Sequence, residues 1–170
     1  MVGLLLLAAQ NSIPVGWHDE LATPGLWVPL DGGTQPIVRI PRASHIELRF
    51  APQTADWPYQ FQWGGVRRFI SFDPRRHPVI IARVTDVQGY AHLEIEDERG
   101  RGLRSSAVQS PGYVRLDMPA DKSMQRYELR LIGGGPNSGA SVTYDWVRCT
   151  TAQGAARMIA DPNARVVIDP

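Results

Sequence analysis

A chain of 170 residues, 43% apolar and 21% charged, fits one domain with a core of its own. Its 18 basic and 17 acidic residues leave a formal net charge of +1, and Lys122 is the only lysine among scattered arginines. No basic block is present to hold nucleic acid or an anionic membrane surface. Cys149 is the sole cysteine, which excludes an intrachain disulfide and a cysteine-built metal site; it reads as a buried strand-end thiol.

The opening "MVGLLLLAAQNS" has an apolar run from Val2 to Ala9, followed by small residues suited to cleavage at Ala8, Ala9 and Ser12. It reads as a signal segment over residues 1–12 that lacks a positively charged start, with a first hydrophobic strand as the alternative. The run is too short for a membrane span, which takes about 20 apolar residues. The expected location is therefore secreted or periplasmic.

Residues 13–36 are rich in Pro and Gly and predict one short strand around Leu26–Val28, with Asp31-Gly32-Gly33 as a turn. Period-two alternation then predicts half-buried strands in "HIELRFA", "YQFQW", "AHLEIED", "YVRLDM" and "RYELRL". "VRRFISF" and the more continuously apolar "PVIIARV" add two more, separated by "DPRRHP". In "SVTYDWVRC" the alternation places Val142, Tyr144 and Trp146 on the core face and Asp145 on the opposite one. The links at Gln88-Gly89, Glu98–Gly102 and Gly133–Gly139 are too short for crossover helices, so neighbouring strands are expected to run antiparallel. "TTAQGAARMIA" predicts a short helix capped by Thr150 or Thr151, and "RVVI" a last strand or docked extension. The predicted fold is an all-β antiparallel sandwich of roughly 8–10 strands over residues 13–150, with a C-terminal extension over 151–170.

Aromatic rings, onto which the C–H face of a sugar can stack, are the first candidates for binding. Tyr59, Phe61 and Trp63 share parity, so they are either the inward face of a strand or an aromatic platform. Trp57 before Pro58 and Tyr90 after Gly89 read as loop-borne rings, and Asn137 with Ser138 offers hydrogen bonds from a Gly-rich loop that otherwise serves as a turn. Glu94, Glu96 and Glu98 alternate, which superficially suits a glycosidase carboxylate pair; the plainer reading is a solvated strand face with Arg83, Arg115 or Arg130 as cross-strand partners. His18, His45, His77 and His92 show no metal-ligand spacing, and "GGGPNSG" lacks the lysine of a phosphate loop.

Two stretches, "ISFDPRRHPVIIARVTDVQGYAHLEIEDERG" and "YELRLIGGGPNSGASVTYDWVRC", resemble the central hairpin and the closing pair of the galactose-binding-like β-sandwich domains. Val142, Tyr144, Asp145, Trp146, Val147 and Arg148 match the apolar-x-apolar-Asp-aromatic-apolar-Arg run of that family's last strand. The resemblance covers His45 to Arg148 and implies a jelly roll, a group that includes many carbohydrate-binding modules. No catalytic signature and no required cofactor come with it. Many relatives hold a structural calcium near the chain ends, for which Asp19, Glu20 and Asp145 are the nearest candidates here, although their spacing is unlike a calcium loop. The expected function is non-catalytic carbohydrate binding, with Trp57, Tyr59, Trp63, Tyr90 and Asn137 as candidate ligand contacts. The alternatives are a structural or protein-interaction module with a protein partner, and a small glycosidase or lyase using Glu94 and Glu96.

Overall fold

The computed structural model describes residues 12–23, 25–34, 36–39, 45–54 and 61–169. The signal-like residues 1–11 and the candidate contacts Trp57 and Tyr59 lie outside the described residues.

Twelve strands and one helix are described: β1 (Ile13–Asp19), β2 (Val28–Pro29), β3 (Ile37–Arg39), β4 (Ile46–Phe50), β5 (Phe61–Phe72), β6 (Val79–Gln88), β7 (Tyr90–Asp97), β8 (Gly102–Arg104), β9 (Gly112–Asp117), β10 (Gln125–Pro136), β11 (Ala140–Thr150), α1 (Ala152–Ala160) and β12 (Val166–Ile168). They form two sheets. In the first, β11 is central: β6 pairs along it on one side, while β4 takes its first half and β1 its second half on the other. β9, β3 and β12 complete that sheet, β12 running parallel to β1. The second sheet has the order β2-β5-β10-β7-β8. The all-β sandwich expected from the alternation is what the chain forms.

Two of the three short links do not pair the strands they join. β6 belongs to the first sheet and β7 to the second, so Gln88-Gly89 arches across the sandwich, with Gly89 at φ +127° and its α-carbon against the Gly134 carbonyl. β10 and β11 are likewise split between sheets, and β10 extends through Gly133-Gly134-Gly135, which the sequence reading assigned to a loop. The predicted Glu98-Arg99-Gly100 turn does close a true hairpin, β7–β8. Asp97 pins it, accepting from the backbone N–H of Arg99 and Arg101, from Arg101 Nε and from Lys122 Nζ.

Leu48, Val66, Ile80, Leu93, Leu129, Val142 and Tyr144 fill the space between the sheets. A smaller apolar cluster covers the outside of the first sheet, where Ala155 and Met158 of α1 pack on Ile13, Val15, Val79, Ile81 and Trp146. This double burial explains why β6 is continuously apolar: Ile80, Ala82 and Val84 face the other sheet, while Val79 and Ile81 face the helix. Thr151 is the helix cap, accepting from Gly154 N–H at 3.0 Å, and the Thr150 hydroxyl donates to the Pro14 carbonyl. Gly154 is required there, because a Cβ would fall 2.2 Å from Thr150 Oγ1.

Strict alternation fails at Asp145. β11 and β6 are in register at Thr143–Asp86 and Tyr144–Val84, then at Trp146–Arg83, so an extra residue sits in each strand. The bulge reverses facing: Tyr144 stays between the sheets, and Trp146 turns outward beneath α1. The expectation that Tyr144 and Trp146 share one face is thus corrected.

Candidate functional site

β5 alternates cleanly, with Gln62, Gly64, Val66, Ile70 and Phe72 inward. Phe61 and Trp63 therefore point out of the second sheet, 60% and 46% exposed, so for these two the inward-face alternative is overturned. The sequence held the signal: Phe61-Gln62-Trp63 and "VRRFISF" belong to one strand, and the parity of Val66, Ile70 and Phe72 forces Trp63 outward.

The registers of β5, β10 and β7 lay out the outer face as rows across the strands. The first row is Trp63, Gly134, Tyr90; the second is Gly65, Ile132, His92; the third is Arg67, Arg130, Glu94, extended by Arg104 on β8. Strands lie about 4.8 Å apart, so Trp63 and Tyr90 start about 10 Å from one another across Gly134. The first and third rows are about 13 Å apart along the strands. Tyr90 leans over Gly134, where a Cβ would sit 2.5 Å from its hydroxyl. Behind Trp63, the Asp31–Gly33 loop closes up: Thr34 N–H donates to the Trp63 carbonyl, and a Cβ at Gly33 would meet the indole at 3.1 Å.

The result is a trough of about 370 Å³, lined by Leu30, Asp31, Trp63, Arg67, Tyr90, His92, Glu94, Arg104 and Arg130. One long side is aromatic, His92 lies between the sides, and the opposite side is charged.

The charged side is held by a dense set of ion pairs. Arg130 reaches Glu96 at 2.8 Å, Glu128 at 2.7 Å and Glu94 at 3.8 Å; Arg67 reaches Asp31 at 2.7 Å and Glu128 at 3.4 Å. His92 is buried and stacked on Tyr90, with ring centroids 5.8 Å apart. Arg104 Nη2 lies 3.4 Å from His92 Nδ1, and arginine has only donors, so Nδ1 is the acceptor and Nε2–H donates to Glu94 at 3.0 Å. That bond, against the opposing effect of burial and with help from Arg104 and Arg130, holds the Glu94 carboxyl below its ordinary pKa. From beneath, the buried Tyr144 hydroxyl crosses the core to the carbonyls of Ile132, at 2.6 Å, and His92, at 3.0 Å. These belong to one paired rung of β10 and β7, so a side chain of the first sheet fixes the trough floor in the second.

Of the candidate contacts, Trp63 and Tyr90 meet in the trough. Tyr90 opens β7 instead of riding a loop. Asn137 lies in the β10–β11 link and is not among the trough-lining residues; its carbonyl accepts from Gln53 N–H at 2.8 Å. Glu94 lines the trough, and Arg130 is its cross-strand partner as expected; Arg83 and Arg115 lie in the other sheet. Sequence reasoning passed over Arg67 and His92 as ligand contacts, although they share parity with Trp63 and Tyr90 on their strands; Arg104 carried no such signal, because its place is set by the pairing of β8 with β7.

The three carboxylates considered for calcium are engaged separately. Asp19 accepts from Leu21 N–H, Trp27 Nε1 and Arg68; Glu20 pairs with Arg148, and Asp145 with Arg83. Among the described residues, no three His, Cys, Asp or Glu side chains gather as a metal-ligand set. No helix among those residues is long and apolar enough to cross a membrane.

No family model matches the chain, and no curated protein matches it. Among solved structures it is similar to TmCBM27, a carbohydrate-binding module with specific mannan recognition, at 10% identity and a TM-score of 0.48, over 79% of this chain and 95% of that one. It is also similar to the CBM22-1 xylan-binding domain from Paenibacillus barcinonensis Xyn10C, at 15% identity and a TM-score of 0.44, over 84% of this chain and 98% of that one.

Proposed function

We propose that this chain is a non-catalytic carbohydrate-binding module and that the trough on the outer face of the second sheet is its glycan site. The observation that carries the reading is the row layout. Trp63 and Tyr90 offer ring faces for sugar C–H groups, and Arg67, Arg130, Glu94 and Arg104 offer fixed donors and acceptors about 13 Å away for hydroxyls. The three arginines of that side are paired with Asp31, Glu94, Glu96 and Glu128, so it suits a neutral saccharide. Trp57 and Tyr59, just before β5 in the sequence, and Asn137, just after β10, are further ligand contacts in this proposal. The apolar Val2–Ala9 run of the sequence supports export.

Catalysis by Glu94 and Glu96 fits the geometry poorly. A glycosidase keeps one carboxyl protonated as its acid, which requires a raised pKa. Glu94 is shifted downward, and Glu96 is tied to Arg130 at 2.8 Å.

Calorimetric titration with a panel of neutral oligosaccharides tests the proposal. Binding in the micromolar to millimolar range, weakened by Trp63→Ala and by Tyr90→Ala, is expected. No binding at millimolar concentration, or binding indifferent to both substitutions, refutes it.

A further inference from the structure

We propose a second ligand site on the opposite face of the sandwich, taking a neutral pyranose-sized ligand through its oxygen acceptors. A cleft of about 390 Å³ opens on the outside of the first sheet, next to the α1 cluster. Arg83 of β6 and Asp145, Trp146 and Arg148 of β11 line it, with Glu20 and Ala22 from the segment after β1 and Pro162 and Asn163 from the turn after α1.

Three independent features mark the cleft as built. First, it owes its side chains to the bulge at Asp145. A regular strand would send Trp146 into the main core, whereas the bulge brings Trp146 out beside Arg148. Bulges re-aim side chains in this way near functional sites. Second, Leu21 has φ +53°, a left-handed conformation that branched residues rarely adopt. It drives the Leu21 side chain into the core while its neighbours Glu20 and Ala22 stay at the cleft.

Third, two buried donors on residues that line the cleft have no acceptor among the described residues. The Arg148 side chain is 6% exposed, stacks on the Trp146 indole at 4.2 Å and gives Nε and Nη2 to Glu20 at 3.0–3.1 Å, leaving Nη1 unbonded. Trp146, 3% exposed, has its Nε1–H unbonded as well. Native proteins rarely bury such groups without a partner.

The ligand class follows from this chemistry. Guanidinium and indole N–H groups only donate, so the ligand must bring acceptor oxygens. Arg148 is already neutralised by Glu20, and Arg83 by Asp145 at 3.1 Å, so the cleft carries no unbalanced charge to attract an ion. Glu20 and Asp145 also place carboxylate oxygens beside the donors, where ligand hydroxyls can donate in turn. Adjacent hydroxyls on a neutral sugar ring satisfy both demands. The site is independent of the trough, and a chain with both presents ligand sites on its two outer faces.

The test is a titration of ¹⁵N-labelled protein with neutral monosaccharides, following the Trp146 indole N–H, assigned with Trp146→Phe, and the Arg148 guanidinium signals. It is run in wild type and in Trp63→Ala, which removes the trough platform. A saturable shift of the Trp146 signal in both, lost in Ala22→Trp, whose ring fills the cleft mouth without touching the core, supports the site. If no pyranose moves that signal at millimolar concentration, if Ala22→Trp leaves the shift intact, or if only uronates move it, the site is overturned. A bound water that holds both N–H groups and does not exchange for sugar overturns it equally. Shifts at Trp63 without shifts at Trp146 refute this site and leave the trough standing; the reverse refutes the trough alone.

Discussion

Trp63→Ala separates binding from folding. The ring is 46% exposed on the outer sheet face, and its inward neighbours Gln62 and Gly64 carry the packing of that segment. A tryptophan presents roughly 150–250 Å² in all, so about 100 Å² of this one faces solvent. A pyranose lying on it covers about 60 Å², which at ~25 cal/mol per Å² is about 1.5 kcal/mol. That corresponds to a rise of roughly tenfold in Kd. Truncation leaves the inter-sheet core untouched but removes the half of the indole that rests on the Asp31–Gly33 loop, so urea unfolding should show a loss of about 1–2 kcal/mol, below the roughly 3–5 kcal/mol of a core Trp→Ala. The assay pairs calorimetric titration of a binding oligosaccharide with urea unfolding of both proteins. A Kd unchanged within twofold refutes the role of Trp63 as a platform. A stability loss of about 3–5 kcal/mol, that of a core tryptophan, refutes the argument that the ring stands outside the core.

Gly134→Ala should weaken binding without removing a ligand contact, because its Cβ would meet Tyr90 Oη at 2.5 Å and the Gln62 carbonyl at 2.4 Å. Displacing Tyr90 and the strand should cost about 1–3 kcal/mol in urea unfolding, and a neutral result refutes the close approach. Tyr144→Phe deletes the tie between the first sheet and the Ile132–His92 rung, and should cost about 1–2 kcal/mol while broadening the amide signals of that rung. Asp97 has its folded pKa pulled well below the carboxylate range, by the backbone N–H of Arg101 first and then by the Arg101 side chain, the Arg99 backbone and Lys122, against desolvation. A depressed acid stabilises fully above its unfolded pKa, near 3.9, and loses that contribution as pH falls toward the folded value. Stability should therefore decline from about pH 4 downward, and Asp97→Asn should flatten that limb; an unchanged acid limb contradicts the assignment.

Much of the fold was legible because half-buried strands advertise themselves. β4, β7, β9 and most of β10 alternate cleanly, and each is found where the alternation falls. What escaped depends on distant partners. β1 holds its place through β11 and β12; Ile13, Val15 and Trp17 do alternate, but Pro14 and Gly16 between them read as turn residues. The glycines of β10 look like a loop until β5 and β7 flank them as strands. The bulge at Asp145 cannot be seen in "SVTYDWVRC", because it is set by the register with β6. The trough was half legible. Trp63 and Tyr90 stood out as aromatics, but the arginines that oppose them come from β5, β8 and β10, and only the sheet order brings them to one face.

The central claim is tested most directly by mapping backbone and Trp indole shifts of the ¹⁵N-labelled chain on titration with a neutral oligosaccharide. The account predicts saturable shifts at Gly65, Ile132, His92 and Tyr90, and at the Trp63 indole. A ligand that binds and leaves this row of the second sheet unmoved contradicts it.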